Sequence, residues 1–349
     1  PGARGGPGMM FEWLVFGATF AASVVATWVV TRYALHRRIL DHPSARGLHE
    51  QATPRGGGAA IGLTASAALL GLHACGLGGW FATPALIAIG IAYGALGWFD
   101  DHTRLPIAPR LLAQLLFAGV FVAVSGAGLA QPLAAITALP AWLVQLVVVV
   151  AIAGFVNVFN FMDGADGYAA GATVAALAGG GAIAALTGER DVLLVTVTLS
   201  AAAAGFLVWN WQPARIFMGD VGSYFLGFQF CALTAWDVLA GRGAWLWLIL
   251  LAPFITDGVL TLTRRILRRE HFWRAHRTHA YQVLILSGLG HATVSTGIIV
   301  LTLVVLAPVA LYARLQPALA PVLAAAVYGL NGMLWLAAQR RPGNVTTST

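Results

Sequence analysis

The chain has 349 residues, of which 59% are hydrophobic and only 9% are charged. Soluble domains carry roughly 25% charged residues, so this composition excludes an ordinary water-soluble enzyme and a disordered chain. The formal net charge is +7, and all 20 basic residues are arginine. In such an apolar chain, the arginine excess indicates membrane topology and binding of anionic groups, and we expect no nucleic-acid partner.

Apolar runs of about 17–25 residues recur along the chain, and each could cross about 30 Å of hydrocarbon. We predict an all-α polytopic membrane bundle with a single transmembrane domain over residues 11–340. Residues 1–10 are interpreted as a linker or expression remnant and 341–349 as a tail. The ten or eleven predicted spans lie near residues 11–33, 57–75, 81–99, 109–127, 139–158, 168–187, 191–209, 223–240, 244–262, 292–313 and 318–338.

The arginines divide unequally between the two sides of this predicted bundle. Sixteen of the 20 lie in one set of connections, near 32–57, 100–110, 209–222 and 263–282, and in the tail. By the positive-inside rule this side is cytoplasmic, which puts the N-terminus outside and the C-terminus inside. Most of the carboxylates share that side, so we expect the chemistry at the cytoplasmic face, with the active site in these connections.

Two of these connections carry an anion-binding and an acidic motif. Thr53-Pro-Arg55 precedes three glycines, and such a stretch lets backbone N–H groups and a guanidinium approach an anion closely. Asp100 and Asp101 are adjacent at the end of a span, where a carboxylate pair can hold Mg²⁺ through oxygen. An ordinary loop and a helix-capping acid pair are the alternatives.

The next two motifs combine acids with carboxamides. Asp163 and Asp166 are spaced by one helical turn, and Asn157 and Asn160 repeat that spacing just before them. Further on, Asn210, Arg215, Phe217 and Asp220 lie close together in sequence, which is typical of a nucleotide site with an aromatic face for a base and an acid for metal-bound phosphate. A solvated loop and a re-entrant turn are the alternatives.

The last cytoplasmic motif is an arginine- and histidine-rich segment over residues 264–282. It indicates either an anion site or a patch for lipid headgroups. Asp257, just before it, is expected to pair with one of its arginines. Three isolated polar residues are expected to be interfacial rather than functional: Glu12, Asp237 and His291.

The motifs around Asp100-Asp101, Asn160 to Gly167 and Phe217 to Ser223 resemble, in this order, those of the polyprenyl-phosphate N-acetylhexosamine-1-phosphate transferases. The resemblance runs from about residue 41 to residue 282. It implies transfer of a sugar 1-phosphate from a UDP-sugar to undecaprenyl phosphate with release of UMP. It also implies Mg²⁺ as cofactor, with Mn²⁺ substituting, a bacterial inner-membrane location and, as in many relatives, a homodimer.

The same resemblance implies roles for individual residues of the site. Asp100 would accept the proton of the lipid phosphate, and Asp163 would lie in the catalytic cleft. Asp101 and Asp220, together with Asp100, would hold the metal. Asp166, Asn160, Asn210 and Phe217 would contact the nucleotide-sugar, with Phe217 stacking on uracil. The remaining expected contacts, to the diphosphate or the cleft border, are Thr53, Arg55, His276, Arg277 and His279.

The histidine motif departs from that of the lipid I enzymes, because His276 is followed by Arg-Thr-His-Ala rather than by further histidines. This favours the branch that initiates O-antigen and other cell-envelope polysaccharides, whose donors include UDP-GlcNAc, UDP-FucNAc and UDP-QuiNAc. The sugar stays open, as does the main diphosphate ligand among His276 and His279. Direct attack is favoured over a covalent phospho-aspartate.

A secondary transporter with a cytoplasmic anion site is the main alternative from another class. Transporters place their charged sites near the middle of the bilayer, whereas these acids lie at span ends. A lipid-binding scaffold would not need the acids beside the arginines. A CDP-alcohol phosphotransferase would keep its acids in one long motif, and here they are spread over three connections.

Overall fold

The computed structural model describes residues 8–43, 48, 51–129, 131, 139–270 and 276–341. Most of the predicted N-terminal linker, part of the first loop, residues 271–275 of the arginine-rich segment and the tail beyond residue 341 lie outside these ranges. The described chain is helical apart from its connections and one short hairpin, which confirms the all-α prediction.

The described elements comprise 14 α-helices and two short strands, numbered in chain order. The strands β1 (Leu40–Asp41) and β2 (Thr53–Pro54) form an antiparallel hairpin. The helices are α1 (Gly8–Arg37), α2 (Gly58–Ala74), α3 (Pro84–Thr103), α4 (Ile107–Ser125), α5 (Ala141–Phe161), α6 (Tyr168–Thr187), α7 (Arg190–Asn210), α8 (Gly219–Leu239), α9 (Trp245–Leu250), α10 (Ala252–Leu267), α11 (Ala280–Leu286), α12 (His291–Val300), α13 (Ala307–Leu315) and α14 (Ala320–Gln339).

Seven described segments are long and apolar enough to cross a membrane, so the chain is an integral membrane protein. They are Met10–Arg37, Ile107–Ser125, Ala141–Phe161, Tyr168–Thr187, Arg190–Asn210, His291–Leu315 and Pro317–Gln339. The segment His291–Leu315 consists of α12, the π-helical segment Leu301–Leu306 and α13. The helices α3 and α8 are of similar length and fall outside this set, and the total of eleven spans stays a prediction.

The region predicted as one span at 244–262 forms two helices, α9 and α10, which meet at Leu251, and its crossing of the membrane stays a prediction. Pro253 stands in the first turn of α10, where its missing N–H leaves no intrahelical bond unmade. The same residue inside a continuous helix would clash with the preceding turn, so the helix ends and restarts at Leu251.

The innermost helices of the bundle are α6, α7 and α8. In the most apolar stretches of α6 and α7, 72% and 67% of the residues are buried, against 22–33% in the other five segments. Alanine and glycine dominate α6 and let neighbouring side chains approach closely; Gly180, for example, lies against the Trp247 ring. The peripheral helices leave large apolar side chains exposed, as expected of surfaces that contact lipid.

The first turn of α8 is held between two helices by contacts that only glycine permits. A Cβ atom at Gly97 of α3 would lie 2.2 Å from the carbonyl oxygen of Asp220. A Cβ atom at Gly58 of α2 would lie 2.1 Å from the Cα atom of Gly222. The main chains of α2, α3 and α8 therefore meet at this end of the bundle.

Four charged side chains connect the opposite end of the bundle. Arg314 lies 3.0 Å from Asp237 and 3.1 Å from Glu189, and Arg242 lies 2.8 Å from Asp237. Asp237 and Arg314 are almost fully buried. This cluster joins the α6–α7 connection to the end of α8 and to α13. Asp237, expected to be interfacial, is thus a member of a buried ion-pair network.

We predict that Gly97→Ala lowers the free energy of unfolding by about 1–3 kcal/mol, because the added methyl group pushes α3 away from the first turn of α8. Thermal unfolding of the purified protein measures this effect. Gly119→Ala in α4 is the matched control, since no atom of another segment lies within 4 Å of the place that its added methyl group would take. Equal melting temperatures for the two variants would contradict the close contact.

Candidate active site

Backbone hydrogen bonds join the end of the hairpin to the segment before α8 and place Arg55. The Phe217 N–H donates to the Pro54 carbonyl oxygen over 2.8 Å. The N–H groups of Gly57 and Gly58 donate to the carbonyl oxygens of Phe217 and Met218, each over 2.9 Å. Because these bonds lie on both sides of residue 55, the Arg55 side chain is held beside the start of α8.

Arg55 bridges two carboxylates that are 119 residues apart in sequence. Its Nε atom lies 2.8 Å from Asp101 Oδ1, and its Nη2 atom lies 2.9 Å from Asp220 Oδ1. Asn160 at the end of α5 also donates to Asp220 Oδ1, over 2.8 Å, and to the Ser223 hydroxyl oxygen over the same distance. The motifs that the sequence placed in separate loops therefore meet at one point.

Asp101 is the buried member of this group, with only 1% of its side chain exposed. Its two carboxylate oxygens accept from the N–H groups of Asp220 and Val221, over 3.0 and 3.2 Å. A carboxylate in this position satisfies unpaired N–H groups of the helix start and interacts favourably with the helix dipole. Asp101 therefore fixes α8 to α3 while it pairs with Arg55.

Asp100 points to a different set of partners and does not line the cavity described below. Its carboxylate accepts from the Tyr224 hydroxyl over 2.9 Å, from Arg110 over 3.0 Å and from the Leu105 N–H over 2.9 Å. The residue is 5% exposed. This geometry favours a positioning role, and the expected roles as proton acceptor and metal ligand stay predictions.

A polar cavity of about 250 Å³ opens beside the Arg55 group. It brings together most of the sequence-predicted residues, from three separate connections and the helix ends beside them. The predicted residues that line it are Arg55, Asn160, Asp163, Asp166, Asn210, Phe217 and Asp220. A half-buried aromatic ring, carboxylates, carboxamides and a guanidinium thus share one space.

Asp163 lies two residues beyond the end of α5 and faces this cavity. Its removal from water raises its pKa well above the usual carboxyl value, and the nearby Asp220 and Asp101 raise it further, against the opposing effect of Arg55. A carboxylate in such surroundings gains from any cation that enters the cavity. The arrangement therefore fits a bound metal ion or a cationic group of a ligand.

Hydrogen bonds of Asp166 and Asn210 join the loop after α5 to the loop before α8. The Ala214 N–H donates to Asp166 Oδ2 over 3.1 Å. Asn210 accepts from the Gly167 N–H over 3.1 Å and donates to the Ile216 carbonyl oxygen over 3.0 Å. Much of the hydrogen-bonding capacity of Asn210 is therefore used to hold the loops, although its side chain lines the cavity.

Besides Asp100 and Asp101, four predicted residues do not line the polar cavity. Thr53 is buried in β2, where its hydroxyl donates to the Gln51 carbonyl oxygen over 3.1 Å. Arg277, half-buried, stands between His276 and His279 in sequence. The two histidine rings lie 4.8 Å apart, and burial together with His279 and Arg265 lowers the pKa of His276 to about 3. His276 is therefore neutral at physiological pH.

His279 is 2% exposed and pairs with Asp257, whose Oδ1 atom lies 3.4 Å from His279 Nδ1. Asp257 also accepts from the Ala280 N–H and from the Thr261 hydroxyl, each over 2.9 Å. Among the described residues, Asp257 therefore pairs with a histidine, because the start of α11 packs its N–H group and His279 onto α10. The expected pairing with an arginine stays a prediction, since residues 271–275 of that segment lie outside the described ranges.

A second cavity, of about 380 Å³, lies between α10, α11, α12 and α14, and its lining is mostly apolar. The short helix α11 separates the two spaces, because Tyr281 lines the apolar cavity and Gln282 lines the polar one. The Tyr281 hydroxyl donates to the Phe161 carbonyl oxygen over 2.9 Å. An apolar space therefore adjoins the acidic site.

The polar cavity also holds three polar residues that the sequence analysis did not select as site residues: Asp41, Gln282 and His291. The expectation that His291 is merely interfacial is wrong, since its ring lies 3.5 Å from Asp166 Oδ1. Sequence spacing gives no signal for this contact, because 125 residues separate the two. Asp41 is the first residue of the first predicted cytoplasmic motif, and its pairing with Thr53 in the hairpin brings it near the cavity.

Within the described ranges, no three histidine, cysteine, aspartate or glutamate side chains form a ready-made metal cage. Mg²⁺, however, usually binds one or two carboxylates and completes its shell with water and substrate phosphates. Asp163 and Asp220 both face the polar cavity and offer hard oxygen ligands. The site therefore fits a magnesium ion that arrives with a phosphorylated ligand.

Comparison with known proteins identifies the family of this chain. The family described as glycosyl transferase family 4 matches residues 83–236. The chain is 29% identical over 286 residues to a probable undecaprenyl-phosphate N-acetylglucosaminyl 1-phosphate transferase of Bacillus subtilis, covering 80% of this chain and 78% of that protein. It is 30% identical over 249 residues to a phospho-N-acetylmuramoyl-pentapeptide-transferase of Desulforudis audaxviator, covering 63% of this chain and 73% of that protein.

A third similar protein is the phospho-N-acetylmuramoyl-pentapeptide-transferase of Latilactobacillus sakei, which is 36% identical over 164 residues. That match covers 44% of this chain and 50% of the relative, so the chain spans only half of it. The apolar helices and these relatives support a membrane-embedded transferase. The chain belongs to the polyprenyl-phosphate sugar-1-phosphate transferase family, glycosyl transferase family 4.

We predict that Asp101→Ala lowers the free energy of unfolding by about 2 kcal/mol, since it removes a helix cap and leaves Arg55 with one partner fewer. Asp101→Asn retains an oxygen for the α8 N–H groups and is expected to lose less than half of that amount. Chemical or thermal unfolding of the detergent-purified variants measures both. Two equally destabilised variants would show that the charge, rather than the cap, carries the effect.

Proposed function

We propose that this protein transfers an N-acetylhexosamine 1-phosphate from a UDP-sugar to undecaprenyl phosphate and releases UMP. The observation that carries this proposal is the polar cavity, which gathers acids, carboxamides and an aromatic ring beside an apolar space. The name of the Bacillus subtilis relative supports it, because it describes a sugar 1-phosphate transferase that acts with undecaprenyl phosphate. The donors we favour are UDP-GlcNAc, UDP-FucNAc and UDP-QuiNAc.

The nucleotide end of the donor is proposed to contact Phe217 and Asp166. The Phe217 ring is half-buried at the cavity wall and offers a face on which uracil can stack. Asp166 Oδ2 is held by the Ala214 N–H, which fixes the carboxylate for a hydrogen bond from the base or ribose. Asn210 supports this contact by joining the loops that carry both residues.

The diphosphate is proposed to lie beside Asp163 and Asp220, which would hold Mg²⁺. When bound, this ion neutralises phosphate charge and stabilises the leaving UMP. Asp101 contributes to this site indirectly, because it fixes Arg55 and the start of α8. Arg55 and Asn160 both contact Asp220 Oδ1, so they orient this carboxylate toward the cavity.

The reaction is proposed to be a direct displacement at the β-phosphorus of the UDP-sugar. A phosphate oxygen of the lipid forms the new P–O bond, and the bond from that phosphorus to the bridging oxygen breaks, so the electron pair leaves with UMP. The lipid phosphate is itself a nucleophile, and the protein mainly positions it. The apolar cavity beside α11 is the proposed place for the first part of the prenyl chain.

The site is proposed to face the cytoplasm of a bacterium, at the inner membrane. The arginine-rich connections lie at the same end of the helices as the acids. By the positive-inside rule, arginine-rich connections are retained on the cytoplasmic side of the membrane. A soluble UDP-sugar reaches that side, and the acceptor phosphate lies at the inner leaflet. The step would then be the first membrane reaction of O-antigen or a related cell-envelope polysaccharide.

We predict UMP release that requires a UDP-N-acetylhexosamine, undecaprenyl phosphate and Mg²⁺ together. The purified protein would be tested with each donor separately, with UMP quantified by chromatography. EDTA should abolish the release, and Mn²⁺ should restore part of it, because both ions accept hard oxygen ligands. A folded protein that releases no UMP from any donor and binds no UDP would refute the proposal.

We predict that Asp220→Asn and Asp163→Asn reduce the turnover number by about 10²–10³-fold, because each removes a charge from the diphosphate and metal site. Phe217→Ala should chiefly raise the KM for the UDP-sugar. Steady-state kinetics with varied donor and varied lipid separate these effects. Asp191→Asn at the start of α7, on the opposite end of the bundle, is the matched control and should retain full activity.

A further inference from the structure

The start of α12 is joined to the loop that follows α5 through the backbone N–H and C=O groups of Asp166. The Asp166 N–H donates to His291 Nδ1 over 3.1 Å. The Ser295 hydroxyl, one helical turn further along α12, donates to the Asp166 carbonyl oxygen over 2.8 Å. A single helix therefore fixes the main chain of a residue that lines the polar cavity.

The same helix start also holds the second cavity loop. The Gln212 carboxamide oxygen accepts from the Ala292 N–H over 2.6 Å, which satisfies an unpaired group of the first turn of α12. The Ala214 N–H, two residues further on, donates to Asp166 Oδ2. The loops 162–167 and 211–218 are thus connected to each other and to α12.

The side chains that hold the loop 162–167 are largely buried, so their hydrogen bonds affect its position. Ser295 is fully buried, and 13% of the His291 side chain is exposed at the cavity edge. Because buried N–H and C=O groups are costly to leave unpaired, loss of either side chain would move the Asp166 main chain. Such a movement would carry Asp163 and Asp166 away from their places at the cavity.

We propose that His291 and Ser295 are positioning residues for the donor site, and that they act by fixing the Asp166 main chain. The inference rests on the proposed function, since it assigns the cavity to the UDP-sugar. It adds two residues from α12, which lies outside the region matched to the family. His291 does so through Nδ1, which accepts from the Asp166 N–H.

The test compares two substitutions of His291. His291→Ala removes the acceptor, and we expect the KM for the UDP-sugar and the Kd for UDP to rise about tenfold, the effect of one lost buried hydrogen bond. The KM for undecaprenyl phosphate should not change. His291→Asn places a carboxamide oxygen near the position of Nδ1, and we expect both constants to stay within about twofold of the unchanged protein. Ser295→Ala should behave like His291→Ala.

A double variant of His291 and Asp166 tests whether the change in KM passes through Asp166. If His291 acts partly through the Asp166 carboxylate, the rise in KM in the double variant should be smaller than the product of the two single effects. His73→Ala is the matched histidine control: the residue is exposed in the last turn of α2, at the opposite end from Gly58 and the site, and its loss should change neither constant.

Three results would overturn the inference. One is unchanged KM and Kd in both His291→Ala and Ser295→Ala. Another is an equal loss in His291→Asn and His291→Ala. The third is a parallel rise in the KM values of both substrates with a lower melting temperature, which would indicate a general structural role. Calorimetric UDP binding requires no turnover, so an inactive but UDP-binding protein would contradict the proposed transfer and still test this inference.

Discussion

The charge balance among Arg55, Asp101 and Asp220 is the interaction on which the rest of the site depends. Two carboxylates at the buried start of α8 would repel each other, and the guanidinium between them offsets that cost. The backbone bonds between β2 and residues 217–218 hold Arg55 in this place. The glycines at 58 and 97 let α2 and α3 approach α8 closely enough for the three charges to meet.

The two ends of the bundle use charge in different ways. At one end the cluster of Arg242, Arg314, Asp237 and Glu189 pairs its charges internally, and its contacts join helices and their connections. At the other end the acids outnumber the nearby arginine, and several face a cavity. Unbalanced negative charge in a partly dry space favours a cationic ligand, which agrees with the proposed binding of magnesium and a diphosphate.

The adjacent pair Asp100 and Asp101 illustrates the limit of a sequence motif. Neighbouring residues of a helix do not face the same way, and in this structure the two carboxylates have different partners. Asp101 points to α8 and Arg55, whereas Asp100 points to Tyr224 and Arg110. Asp163, whose own segment contains no basic residue, faces the cavity instead.

The sequence alone determined the membrane class, the helical architecture and the family, because hydrophobic runs, arginine placement and motif order are properties of the linear chain. It also identified seven of the residues that line the polar cavity. Only the tertiary structure decided which acids face that cavity, the break before Pro253, the pairing of Asp257 with His279 and the place of His291. These depend on contacts between helices distant in sequence, which leave no periodic or compositional signal.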